Sequence, residues 1–167
     1  MKEFSPKKIA ILGLTCALSL IAFTLESLFP PLILPGAKLG LSNVFILLTV
    51  VMVGKWSAFI VLIIKVVFGS IFTGNISAIL YGLPSGAIAL LLEVVLLSFP
   101  EKFGIVSVSI LGATVNMTIQ NLTFCLVTSV IHYLAYLPYL TLVGVLSGLI
   151  VGLVVYVLQK YLPTKLN

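Results

Sequence analysis

Apolar runs follow one another along almost the whole chain, and each is long enough to matter to a membrane. A helix needs about 20 apolar residues to cross a hydrocarbon core of about 30 Å. The first run starts after Lys7 and Lys8 and continues to about Phe29, longer than the core of a signal peptide, so a retained helix is expected. The sequence is 61% hydrophobic and only 8% charged, against about 25% charged in a soluble domain. An all-α integral membrane protein is therefore expected, with six transmembrane helices in a single bundle. They are placed at 9–28, 39–54, 57–73, 76–99, 105–131 and 138–161, with Pro84 a kink inside the fourth. No polar linker interrupts the chain, so residues 1–167 are read as one domain.

Lysine placement sets the expected topology. Lys2, Lys7, Lys8, Lys55, Lys102, Lys160 and Lys165 fall on one face of a six-crossing arrangement, and Lys38 alone falls on the other. The positive-inside rule then puts both termini in the cytoplasm. The net charge of +5 comes from lysines spread along the chain, with no arginine, and gives no reason to expect a nucleic-acid partner. Tyr133, Tyr136 and Tyr139 suit an interfacial aromatic belt on the outer side.

Residues 29–43, FPPLILPGAKLGLSN, break the pattern. Pro30, Pro31 and Pro35 remove amide donors, and Gly36 and Gly40 permit turns, so a loop is expected. Its apolar residues suit a segment that packs back onto the protein, as the lid or wall of a pocket. Irregular backbone at membrane depth survives only where protein buries it or a cavity faces it.

Small residues recur at four-residue spacing as Gly144, Gly148 and Gly152, and as Ala78, Gly82 and Gly86. Such ridges let helices approach closely, and packing within the bundle is the expected use. Gly13 and Ala17 on the first helix suit either internal packing or a partner protein.

Polar groups inside membrane helices are functional candidates, because each is costly unless paired or facing a wet cavity. Lys65 lies mid-helix, with Glu93 at a similar expected depth as a structural ion-pair partner. Glu26 and Lys38 lie together at the outer side and are able to pair. Asn116, Gln120 and Thr123 recur at i, i+4 and i+7, which puts an amide-rich stripe on one helix face. Amides that donate and accept suit either interhelical hydrogen bonds or a small polar ligand. The expected pocket lies between the 29–43 loop and the outer halves of helices three to five. Lys38, Asn43, Lys65, Asn116 and Gln120 are its polar contacts, with Glu26 and Ser85 as secondary ones. A neutral or anionic compound with an apolar body suits this set.

Several chemistries lack their residues. The chain has no Asp, one His and two Cys, so a metal site, a catalytic triad and a structural disulfide are not expected. Gly54 and Lys55 are followed by Trp56, where a phosphate-binding loop needs Ser or Thr. Neither enzymatic activity nor a cofactor is expected, and ATP hydrolysis would have to come from elsewhere.

KKIAILGLTCA from Lys7, PGAKLGLSN from Pro35, KVVFGSIFTG from Lys65, and Asn116 with Gln120 resemble the bacterial Gx transporter family. Its members are often labelled heptaprenyl diphosphate synthase component I, and are similar to the substrate-binding S components of energy-coupling factor transporters. The resemblance implies a six-helix protein of the bacterial plasma membrane whose outward-facing pocket is closed by the first loop. It further implies that Gly13 and Ala17 dock on a transmembrane coupling (T) component served by two ATPase subunits. A small vitamin-like or isoprenoid-related substrate would be captured outside, and the S component would then topple within the lipid. Two alternatives are a non-catalytic subunit of prenyl diphosphate synthesis, since aspartate-rich motifs are missing, and a small structural or channel protein.

Overall fold

The computed structural model describes residues 6–28 and 40–162, and every regular element among them is helical. The helices are α1 (Pro6–Leu28), α2 (Leu41–Met52), α3 (Lys55–Phe72), α4 (Ala78–Leu97), α5 (Ile105–Thr128) and α6 (Leu137–Tyr161). A 3₁₀ turn, Ile131–Tyr136, joins α5 to α6. The protein is an all-α membrane bundle. α1, α3, α4, α5 and α6, the last taken with its 3₁₀ turn, are long and apolar enough to cross a membrane. The 12 residues of α2 rise only about 18 Å, less than a full crossing.

Local backbone chemistry sets the helix ends. Gly40 sits in the left-handed region (φ 70°) before α2, a conformation that glycine adopts without the clash a Cβ would bring. Ser129 is also left-handed (φ 57°), and it stops α5 at Thr128 instead of the expected residue 131. The segment beyond it winds into the 3₁₀ turn. Pro84 lies inside an unbroken α4, with the buried Ser85 hydroxyl donating to Gly82 O at 3.2 Å beside it.

Successive helices run up and down, so α1, α3 and α5 start, and α2, α4 and α6 finish, at one end of the bundle, here the terminal end. The opposite end, the loop end, carries the turn at 73–77 and the 3₁₀ turn. α2, α3, α4, α5 and α6 close a ring, and α1 lies outside it against α2 and α3. The glycines explain the tightest seam. A Cβ on Gly144, Gly148 or Gly152 would stand 2.9, 2.5 or 2.8 Å from the Cα of Thr114, Ile110 or Val106, so α5 and α6 touch backbone to backbone. Gly86 faces α3, where an added Cβ would meet Leu62 Cδ1 at 2.7 Å. Both small-residue ridges thus serve internal packing.

Apolar side chains fill the remaining seams. Leu47, Leu48 and Met52 of α2 pack with Val151 and Val155 of α6, while Val61, Leu62 and Val66 of α3 pack with Leu90 of α4. Trp56 and Leu126 stay exposed, as side chains on a lipid-facing surface do.

Candidate functional site

A cavity of about 1020 Å³ opens inside the ring, with residues from all six helices in its wall. Most of the wall is apolar, and a few polar groups converge on it, the usual design of a small-molecule site. Its size is just above the range of about 300–1,000 Å³ typical of such sites.

Lys65 is the central charge. It projects from the middle of α3, is only 6% exposed, and donates from Nζ to Oδ1 of Asn43 at 2.7 Å. Asn43 is fixed in the first turn of α2, where its backbone N–H donates to Gly40 O at 2.8 Å. Both residues line the cavity, as do Asn116 and Gln120 of α5. These four expected contacts are therefore brought together. Glu93 also lines the cavity, and among the described residues it forms no ion pair with Lys65. The amine is held by Asn43 where the sequence suggested a carboxylate.

Glu26 and Ser85 reach the same wall, but their polar atoms are committed to the fold. Glu26 of α1 accepts from the backbone N–H of Leu41 at 2.6 Å and from the Ser42 hydroxyl at 3.4 Å. A carboxylate at that position satisfies a free amide at the start of α2 and complements the positive end of the helix dipole. Ser19 of α1 adds a bond to Ser42 O at 3.1 Å, so two side chains clip α1 to α2. The expected Glu26–Lys38 pair involves a residue outside the described ones, as does most of the proline-rich loop, residues 29–39. Ser85 turns its hydroxyl back to its own helix.

Three features depart from the expected site. Thr123 is not part of the cavity wall; its hydroxyl donates to Ile119 O at 2.8 Å. The packing of α5 on α6 rotates the cavity face toward Met117, Asn121 and Phe124, which carries Thr123 off it. The cavity also runs deeper than the loop-end halves of the helices, reaching Glu93, Ser109 and Val151. At the loop end, Phe124 meets Tyr81 edge-on at 5.5 Å and Tyr133 at 4.9 Å. Tyr133 is thereby tied to the cavity wall, while Tyr136 and Tyr139 are both exposed.

Gly13 and Ala17 lie away from the cavity on the exposed face of α1, and a Cβ on Gly13 would meet nothing within 4 Å. Internal packing, one of the two uses expected for this pair, is not seen for Gly13 among the described residues. No cluster of three His, Cys, Asp or Glu occurs among the described residues either, and Cys16 and Cys125 are separate thiols.

A family model described as heptaprenyl diphosphate synthase component I matches residues 15–158. The chain belongs to that family. No curated protein and no solved structure matches it. In this member of the heptaprenyl diphosphate synthase component I family, the matched span takes in α2 to α5 entire, and with them Asn43, Lys65, Glu93, Asn116 and Gln120. Glu26 and Ala17 are inside it as well, while Gly13 precedes it.

Proposed function

We propose that the protein is the substrate-binding S component of an energy-coupling factor type uptake transporter, and that the cavity holds the small molecule carried. The observation that carries this reading is the convergence of Lys65, Asn43, Asn116 and Gln120 on a largely apolar cavity inside a membrane bundle. A merely structural bundle of this size has no need to keep four polar side chains around a void, because each is costly beside hydrocarbon. Orientation follows the lysines: both termini are cytoplasmic and the loop end faces outward, so capture occurs outside the cell. The protein is not an enzyme in this reading. Energy comes from partners, a T component and two ATPase subunits, and the exposed Gly13 and Ala17 on α1 suit close approach by a helix of the T component.

The family description favours a second reading, in which the chain is a membrane component associated with heptaprenyl diphosphate synthesis and pairs with another subunit. The chain has no Asp with which to hold magnesium and diphosphate, so its part there would be accessory. Proteoliposome uptake separates the two. Vesicles containing this chain, the T component and the ATPases should accumulate a labelled compound from a vitamin and isoprenoid panel only when ATP is present. No accumulation, together with prenyl diphosphate synthesis that rises when the chain is added to a soluble synthase subunit, would replace the first reading with the second.

A further inference from the structure

Near the terminal end of the cavity, Glu93 of α4 lies against Gly112 of α5. A Cβ on Gly112 would overlap the Glu93 carboxylate and stand 2.6 Å from its Cγ, so the glycine is what allows the acid to lie there. Ser109 stands one turn away on the same wall, 1% exposed, and its hydroxyl has no hydrogen-bond partner among the described residues. No hydrogen bond or ion pair to a described residue engages Glu93. Two polar groups thus meet the cavity with capacity unused.

Helix geometry separates them from the Lys65 tier. Counting 1.5 Å per residue from the terminal end, Glu93 and Ser109 both lie about 6 Å in, whereas Lys65 and Asn116 lie about 15–17 Å in. The cavity therefore has two polar tiers about 9–10 Å apart, with Leu62, Leu90 and Ala113 in its wall as well.

We propose that Glu93 and Ser109 form a second subsite for a hydrogen-bond-donating head, an ammonium or a hydroxyl, so that the compound in the cavity is polar at both ends. This rests on the cavity being the substrate site. A carboxyl group offers acceptor oxygens to such a head and a serine hydroxyl supplements them, while an ionised carboxylate repels an anionic one. Lys65 and the α5 amides then take the acceptor-bearing end. The preference for a neutral or anionic compound, drawn from the Lys65 tier alone, narrows to a neutral or zwitterionic one.

The test uses three probes with one apolar body, 2-naphthylmethylamine, 2-naphthylmethanol and 2-naphthoate, and reads the concentration of each that half-maximally raises the melting temperature of the purified protein in nanodiscs. The amine and the alcohol should act on wild type at concentrations about tenfold or more below the carboxylate. Glu93→Gln should remove the advantage of the amine, and Gly112→Ala, which displaces Glu93, should do the same with Glu93 intact. Equal action of all three probes on wild type, weakened by Asn116→Leu, would overturn the subsite and leave the cavity reading standing. No stabilisation by any probe would count against both.

Discussion

Lys65 of α3 reaches Asn43 of α2 across 2.7 Å and so joins the middle of one helix to the first turn of another, at the wall of the cavity. The bond makes Asn43 both a support for a buried amine and a candidate ligand contact. Removing the amide leaves that buried amine with one acceptor fewer. Asn43→Leu should therefore cost about 1–3 kcal/mol of stability, read as a lowered midpoint of thermal unfolding in detergent, while Lys65→Met, which removes the charge itself, should cost less. An unchanged midpoint in Asn43→Leu would mean that the bond does not matter to the fold.

Glu26 acts on the fold through α2. Glu26→Ala removes the acceptor for the Leu41 N–H and should lower stability by about 0.5–2 kcal/mol, while Glu26→Gln, which keeps an acceptor oxygen, should lose much less. Thermal unfolding of the two variants side by side checks this. Equal losses in both would show that charge near the helix terminus, and not the hydrogen bond, is what counts.

Glycines on α6 and α1 should respond in opposite ways to the same substitution. Gly148→Leu drives a side chain into the Ile110 backbone and should cost more than the about 1–3 kcal/mol typical of overpacking, because backbone cannot repack as a side chain does. Gly13→Leu with Ala17→Leu should leave the isolated protein folded and block its copurification with the T component. Size-exclusion profiles of the variants, alone and coexpressed with the partners, report both effects. A double α1 variant that assembles normally would remove these residues from the proposed interface.

Topology gives a prediction free of the cavity. Lys38→Cys should react with a membrane-impermeant maleimide in intact cells, and Lys102→Cys should react only after the cells are opened. The reverse pattern would invert the orientation and with it the proposed direction of transport.

The sequence carried the helices because the bilayer imposes a length and an apolar composition that leave few other solutions. It also carried the placing of Asn43, Lys65, Asn116 and Gln120 on one cavity wall, since a polar residue in an apolar helix must face protein or a cavity. Other parts were hidden for definite reasons. Glu26 finds the start of α2 only because α1 crosses there, and nothing in its local sequence records that crossing. Thr123 and Asn121 are two residues apart on α5, and which of them faces the cavity depends on how the α6 glycines rotate α5. Tyr81 and Phe124 read like any aromatic residue of a lipid-facing helix until Phe124 is seen between Tyr81 and the Tyr133 of the 3₁₀ turn. Glu93 looked like the counter-ion of Lys65 because the expected helix bounds set the two at similar depth, whereas the observed bounds separate them by about 9 Å along the bundle.

The most direct measurement is mass spectrometry of the small molecule that copurifies with the protein, quantified per mole of wild type and of the Asn116→Leu, Gln120→Leu double variant. Truncating two amide contacts should each leave ligand groups unpaired, at about 1–3 kcal/mol apiece, so occupancy in the variant should fall by about tenfold or more while the melting profile without ligand stays close to wild type. A variant that retains the same molecule at wild-type occupancy would contradict the assignment of this cavity as the binding site.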